Sequence, residues 1–145
     1  MTLRIDYYKA SREALAPMLA LEKAIEQLGL EPHLLELVRL RASQINGCAY
    51  CVDHHTTRAL KAGEQDRRLH SVVTWREAPF YTPRERAALA WTESLTLLAA
   101  TNAPDKDFNP LREHFSEKEI VDLTMVVIAV NGWNRLAVGF RKSPE

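Results

Sequence analysis

Cysteine is almost absent. Cys48 and Cys51 are the only two in a chain of 145 residues, which excludes a small secreted scaffold stapled by several bridges. Long apolar runs are missing as well: the longest, Met125 to Val130, falls far short of the roughly 20 residues that a membrane-spanning helix needs. The start, Met1-Thr2-Leu3-Arg4-Ile5-Asp6, has no apolar stretch of the signal-peptide kind. Neither sign of charge is in excess, since 19 Lys and Arg face 19 Asp and Glu. The field that would gather a phosphate backbone or an anionic lipid surface is therefore lacking. These absences predict a cytoplasmic protein with no nucleic-acid and no membrane partner. In that reducing compartment a lone cysteine pair is more often catalytic, redox-sensing or metal-binding than a permanent crosslink.

No repeat, low-complexity tract or Gly/Ser linker divides the chain. With 46% hydrophobic residues it is long enough for one domain over residues 1–145 and too short for two. What is there reads as helix. Leu15, Met18, Leu19, Ile25 and Leu28 give a segment from Ala14 to Leu28 an apolar face, Gly29 supplies a left-handed stop, and Pro32 suits the first turn of the next helix. That second segment carries Leu34, Leu37, Val38 and Ile45 on one side, interrupted by Arg41, and breaks at Asn46-Gly47. A third runs from about Cys48 to Ala62 and closes at Gly63. A charged connector, Glu64 to Leu69, and a short apolar piece, Val72 to Trp75, follow. Thr82-Pro83-Arg84-Glu85 and Ser116-Glu117-Lys118-Glu119 are capping boxes. The first opens a helix through Trp91, Leu95 and Leu98 to about Ala100; the second opens one through Ile120, Leu123, Val127 and Ile128 to about Val138. The Val and Ile content of the last segment would suit a buried strand, but its cap and length favour helix. The expected fold class is all-α: a compact domain of about five to seven helices with the cysteine pair at the N-terminus of a central one.

On a helix, Cys48, Cys51 and His55 stand at i, i+3 and i+7 and project within roughly 60° of one another. Cys51 and His55 are four apart, so the imidazole can take the thiol proton and stabilise the thiolate. The Asn46-Gly47 break puts both cysteines in the first turn, where unpaired N–H groups and the positive end of the helix dipole favour an anion. In such settings a thiol pKa falls from about 8.5 into the range of about 3.5 to 7.5. A thiolate that attacks a peroxide becomes a sulfenic acid, and a second thiol within one turn condenses with it to a disulfide. His54 projects about 100° away, outside the immediate reach of the pair. A zinc site built on a single C-x-x-C would have to recruit His55 and a fourth ligand such as Glu36 or His54. Glu36 alone reads as a solvated carboxylate that nothing distinguishes from Glu31 or Asp53.

A wider pattern distinguishes it. Glu36, then Arg41-Ala42-Ser43-Gln44-Ile45-Asn46-Gly47, Cys48-Ala49-Tyr50-Cys51, His55 and Gly63 resemble the alkylhydroperoxidase AhpD branch of the carboxymuconolactone decarboxylase family. Trp133-Asn134-Arg135 is similar to the family's C-terminal segment. The resemblance implies an all-helical fold, assembly into trimers or hexamers, and a peroxidase that uses its redox-active Cys48–Cys51 disulfide and no other cofactor. It implies Glu36 and His55 as a proton relay, Cys51 as the attacking thiol and Cys48 as the resolving one. Cys51 as nucleophile agrees with its spacing from His55. The partners implied are a hydroperoxide and an external thiol or lipoyl-type reductant. Tyr50 departs from the pattern, because the best-known AhpD has a histidine directly before its second cysteine.

Three functions compete on these residues: a hydroperoxide reductase, a disulfide reductase or redox sensor using the same pair, and a non-enzymatic zinc-stabilised helical module. Trp75, Phe80, Tyr81 and Trp91 could line a substrate pocket, although aromatics near capping boxes are more often core or interface. Met125 to Val130 is apolar on more than one face, which suits a central or subunit-interface helix. Arg135 and Arg141 are candidates for pairing with acidic residues across such an interface.

Overall fold

Every long regular element is a helix in the computed structural model, which describes residues Met1–Glu145. The order is α1 (Tyr7–Ala10), α2 (Arg12–Ile25), α3 (Pro32–Ile45), α4 (Ala49–Lys61), α5 (Asp66–Ser71), a 3-10 turn (Val72–Thr74), α6 (Pro83–Thr96), α7 (Leu98–Thr101), α8 (Asp105–His114) and α9 (Glu117–Phe140). Six of these helices reach ten or more residues, and the short α1, α5 and α7 bring the total to nine. Both capping boxes form. The Thr82 hydroxyl accepts from the Glu85 N–H and the Glu85 carboxylate accepts from the Thr82 N–H, and Ser116 and Glu119 do the same for α9.

The core is built around α3, which packs against α4, α6 and α9. Leu34, Leu35 and Val38 of α3 join Ala88 and Trp91 of α6 and Leu123, Val126 and Val127 of α9 in the larger cluster. Leu37 and Leu40 point the other way, into a second cluster with Leu69, Val72, Trp75, Tyr81 and Leu89. A helix buried on two sides is consequently fixed in rotation and in depth. Trp75, Tyr81 and Trp91 are core residues, and the Arg67 guanidinium lies 4.0 Å over the Phe80 ring. None of the four lines the cavity beside Cys51.

Some local expectations change. Residues Asp66 to Leu69, expected in a connector, belong to α5, because Leu69 is buried and Arg68 ties the start of the segment to Glu64 and Glu85. The helix expected to reach Ala100 stops at Thr96. Leu97 leaves helical geometry and the Thr101 hydroxyl donates to the Ser94 carbonyl at 2.6 Å. Within the chain, Arg135 donates to the Asn131 carbonyl at 3.0 Å. By length and composition α9 is long and apolar enough to cross a bilayer, with a mean hydropathy of 1.3 over an 18-residue window; the six-residue apolar run understated it. Its apolar faces pack instead on α2, α3 and α6, and it carries the polar Asp122 and Asn134 into that packing.

Candidate active site

The two cysteines are delivered by the turn between α3 and α4. Gly47 takes φ +65°, a conformation that costs L side chains energy and glycine nothing. Its N–H donates to the Gln44 carbonyl at 3.2 Å, and the Cys48 N–H donates to the Ser43 carbonyl at 3.0 Å. This pair of bonds is a Schellman motif, so α3 ends with satisfied carbonyls. The next residue opens another helix: Cys48 is the N-cap of α4, and its Sγ accepts from the Cys51 N–H at 3.2 Å. Cys48 and Cys51 are joined as a disulfide with Cα atoms 5.3 Å apart. Cys48 is 1% exposed and packs with Ala137; Cys51, 4% exposed, forms part of the wall of a cavity of about 300 Å³.

His55 lies one turn along α4 from Cys51 and lines the same cavity. Its Nδ1 is 2.9 Å from Oε2 of Glu36 on α3. Of the four expected residues, Cys51 and His55 line the cavity, while Glu36 is bonded to His55 and Cys48 to Cys51 behind them. The other Glu36 oxygen, Oε1, accepts from Arg39 Nη1 at 2.9 Å and from Arg58 Nε at 3.0 Å. Arg39 also reaches Glu22 at 2.9 Å and Glu26 at 3.1 Å, and Arg58 reaches Glu26 at 3.1 Å. The second Glu22 oxygen accepts from the Trp133 indole N–H at 3.0 Å. Helices α2, α3, α4 and α9 therefore meet through polar contacts at the cavity.

Burial pulls the Glu36 carboxyl upward, but the hydrogen bond and charge of His55, with the charges of Arg39 and Arg58, outweigh it and hold the group at about 2. A carboxyl held below its ordinary 4.5 stabilises the fold wherever it is ionised, and that contribution disappears as pH falls from about 4.5 towards about 2. The difference amounts to about 3 kcal/mol. Unfolding free energies measured by denaturant titration across this acid range are expected to fall more steeply for the wild type than for Glu36→Gln. Parallel curves would remove the carboxylate from the account.

The cavity walls were not legible. Tyr7 and Tyr8 of the four-residue α1, Tyr50, His54 and Trp133 supply them. Tyr8 stacks on Trp133 with ring centres 6.3 Å apart, and Tyr50 stacks on His54 at 6.0 Å. His54, expected to stand aside, also meets His55 edge-on at 5.1 Å. Burial, with the charges of His55 and Arg58, pushes the His54 imidazole below its ordinary value. The Lys142 ammonium sits 4.2 Å over the Tyr50 ring. The polar network had a faint signal: Glu22 and Glu26, Glu36 and Arg39, and His55 and Arg58 are pairs at helical spacing.

The sequence profile of the carboxymuconolactone decarboxylase family matches residues 12–94. A crystal structure of a protein of unknown function from Agrobacterium tumefaciens, described as a candidate antioxidant defence protein AhpD, is 46% identical. It superposes with a TM-score of 0.96 over 99% of both chains. The uncharacterized protein YdfG of Bacillus subtilis is 38% identical over 95% of this chain and 94% of its own. The debrominase Bmp8 is similar at 21% identity, covering 90% of this chain and 70% of its own with a TM-score of 0.82. At that identity the likeness is one of fold.

Proposed function

The chain belongs to the carboxymuconolactone decarboxylase family as an AhpD-like member, and on that footing we propose that it is a thiol-dependent peroxidase. The observation that carries this reading is Cys51 in a cavity wall, one helical turn from an imidazole anchored by a carboxylate, with a second sulfur directly behind it. His55 takes the proton of Cys51. The thiolate attacks the distal oxygen of a hydroperoxide, the O–O bond breaks, and the departing alkoxide takes a proton from the imidazolium to leave as an alcohol. Cys51 is then a sulfenic acid. The Cys48 thiol attacks its sulfur, water leaves, and the Cys48–Cys51 disulfide forms. An external dithiol, of the free or lipoyl type, reduces that disulfide and restarts the cycle. No other cofactor takes part.

Mixing the reduced protein with cumene hydroperoxide in a stopped-flow instrument should consume one equivalent of peroxide per chain and remove both free thiols. Excess dithiol should make the reaction catalytic. Peroxide loss no faster than with dithiol alone would end the peroxidase reading. Rapid reduction of a small disulfide without peroxide loss would reassign the pair as a disulfide reductase or sensor. Stoichiometric zinc in protein purified without chelator, with thiols unreactive until chelation, would favour the zinc-stabilised module instead. The reading includes a cytoplasmic setting, where reducing thiols are abundant, and a trimer or hexamer. Exposed Val121 and Ile128 on α9 support assembly.

A further inference from the structure

We infer that Glu36 carries no proton during turnover: Arg39 and Arg58 are positioning residues that hold it as a fixed anion, whose part is to orient His55. The inference rests on the peroxidase reading and changes its relay into a single proton site. Both oxygens of Glu36 are already committed, Oε1 to two guanidinium groups and Oε2 to His55 Nδ1. A guanidinium only donates, so a proton on Oε1 would face two donors and have nowhere to point. A proton passed from Nδ1 to Oε2 would discharge the carboxylate while both guanidinium groups still face it, and would forfeit two charge-assisted hydrogen bonds.

Charge counting leads to the same place. Glu22, Glu26 and Glu36 contribute three negative charges, and Arg39 and Arg58 contribute two positive ones. One proton brings the cluster to neutrality, and with it on His55 each guanidinium keeps an ionised Glu36 to pair with, so the proton from Cys51 stays on His55 until the leaving alkoxide takes it. Arg39 is 2% exposed and cannot be replaced by water in this arrangement. The remaining titratable groups on the cavity are Tyr7 and Tyr8 of α1, Lys23 of α2, and Tyr50 and His54 of α4; α9 contributes the uncharged Trp133 and Ala137.

Arg58 gives the test, because its side chain is 46% exposed and its loss leaves the core intact. Removing a cation beside the site raises the pKa of every nearby acid. The pH midpoint for iodoacetamide alkylation of the reduced protein should therefore rise by about half a pH unit in Arg58→Gln. Arg58→Lys, which keeps the charge, should return it to the wild-type value. A midpoint unmoved in Arg58→Gln, or moved equally in Arg58→Lys, overturns the positioning role. The infrared difference spectrum between reduced and oxidised protein should contain no protonated-carboxyl stretch that disappears in Glu36→Gln. Such a band would show a proton on Glu36 and overturn the fixed anion. Alkylation and infrared spectra need no peroxide, so a protein without peroxidase activity would fail the parent reading and still answer this one.

Discussion

Cys51→Ser should lower hydroperoxide turnover by about a thousandfold or more, while Cys48→Ser should keep the first chemical step and lose the cycle. The asymmetry follows from position. Cys51 borders the cavity and is one turn from His55, whereas Cys48 is the N-cap of α4 and packs against Ala137. A serine hydroxyl in place of the Cys51 thiol is not ionised near neutral pH and is a poor nucleophile towards peroxide, so the loss is that of the reacting atom itself. In Cys48→Ser the sulfenic acid on Cys51 has no thiol to condense with. It persists, and with excess peroxide climbs to the sulfinic acid. Single-turnover peroxide consumption, with intact-mass analysis of each variant, separates the two. A Cys51→Ser protein that still consumes an equivalent of peroxide, and a Cys48→Ser protein that does not, would reverse the assignment.

Arg39→Leu should destabilise the protein by about 3–5 kcal/mol, the cost of removing one partner from a buried ionic group. Arg39 is 2% exposed and donates to Glu22, Glu26 and Glu36. Its removal leaves three carboxylates facing one another with only Arg58 and His55 to compensate. The leucine is apolar and shorter, so it fills neither the volume nor the hydrogen bonds. In a domain of this length the melting temperature should drop by about 10 °C or more. Glu22→Gln should cost far less, since that carboxylate is 26% exposed and water can replace part of what it loses. Calorimetry on both variants checks the order. Equal, small losses would mean that the network is dispensable for folding.

The parts of the fold that the sequence announced are those with local chemistry. Thr82 and Glu85, Ser116 and Glu119, and the Gly47 stop each act within one turn, so spacing alone reveals them. Helix α8 escaped notice because Pro110 interrupts it and most of its side chains are polar, leaving Leu111 as its one buried residue. The site divided along the same line. Cys48, Cys51 and His55 share one helix and were readable from period, while Glu36 was singled out by family resemblance because its contact with His55 crosses from α3 to α4. Arg39 gave no sign of burial at all. What encloses it includes the carboxylates of Glu22 and Glu26, from the preceding helix and its end, contacts that no local window contains. Tyr7 and Tyr8 were hidden for a simpler reason: a four-residue helix has no periodicity to detect.

Trp133 gives the cavity an optical property. Of the three tryptophans, Trp75 and Trp91 are sealed in separate core clusters, and Trp133 alone stands in the cavity wall, stacked on Tyr8 and bonded to Glu22. A molecule entering the chamber alters the surroundings of one indole and leaves the other two as a steady background. Intrinsic fluorescence thus reports occupancy of the chamber without any attached label.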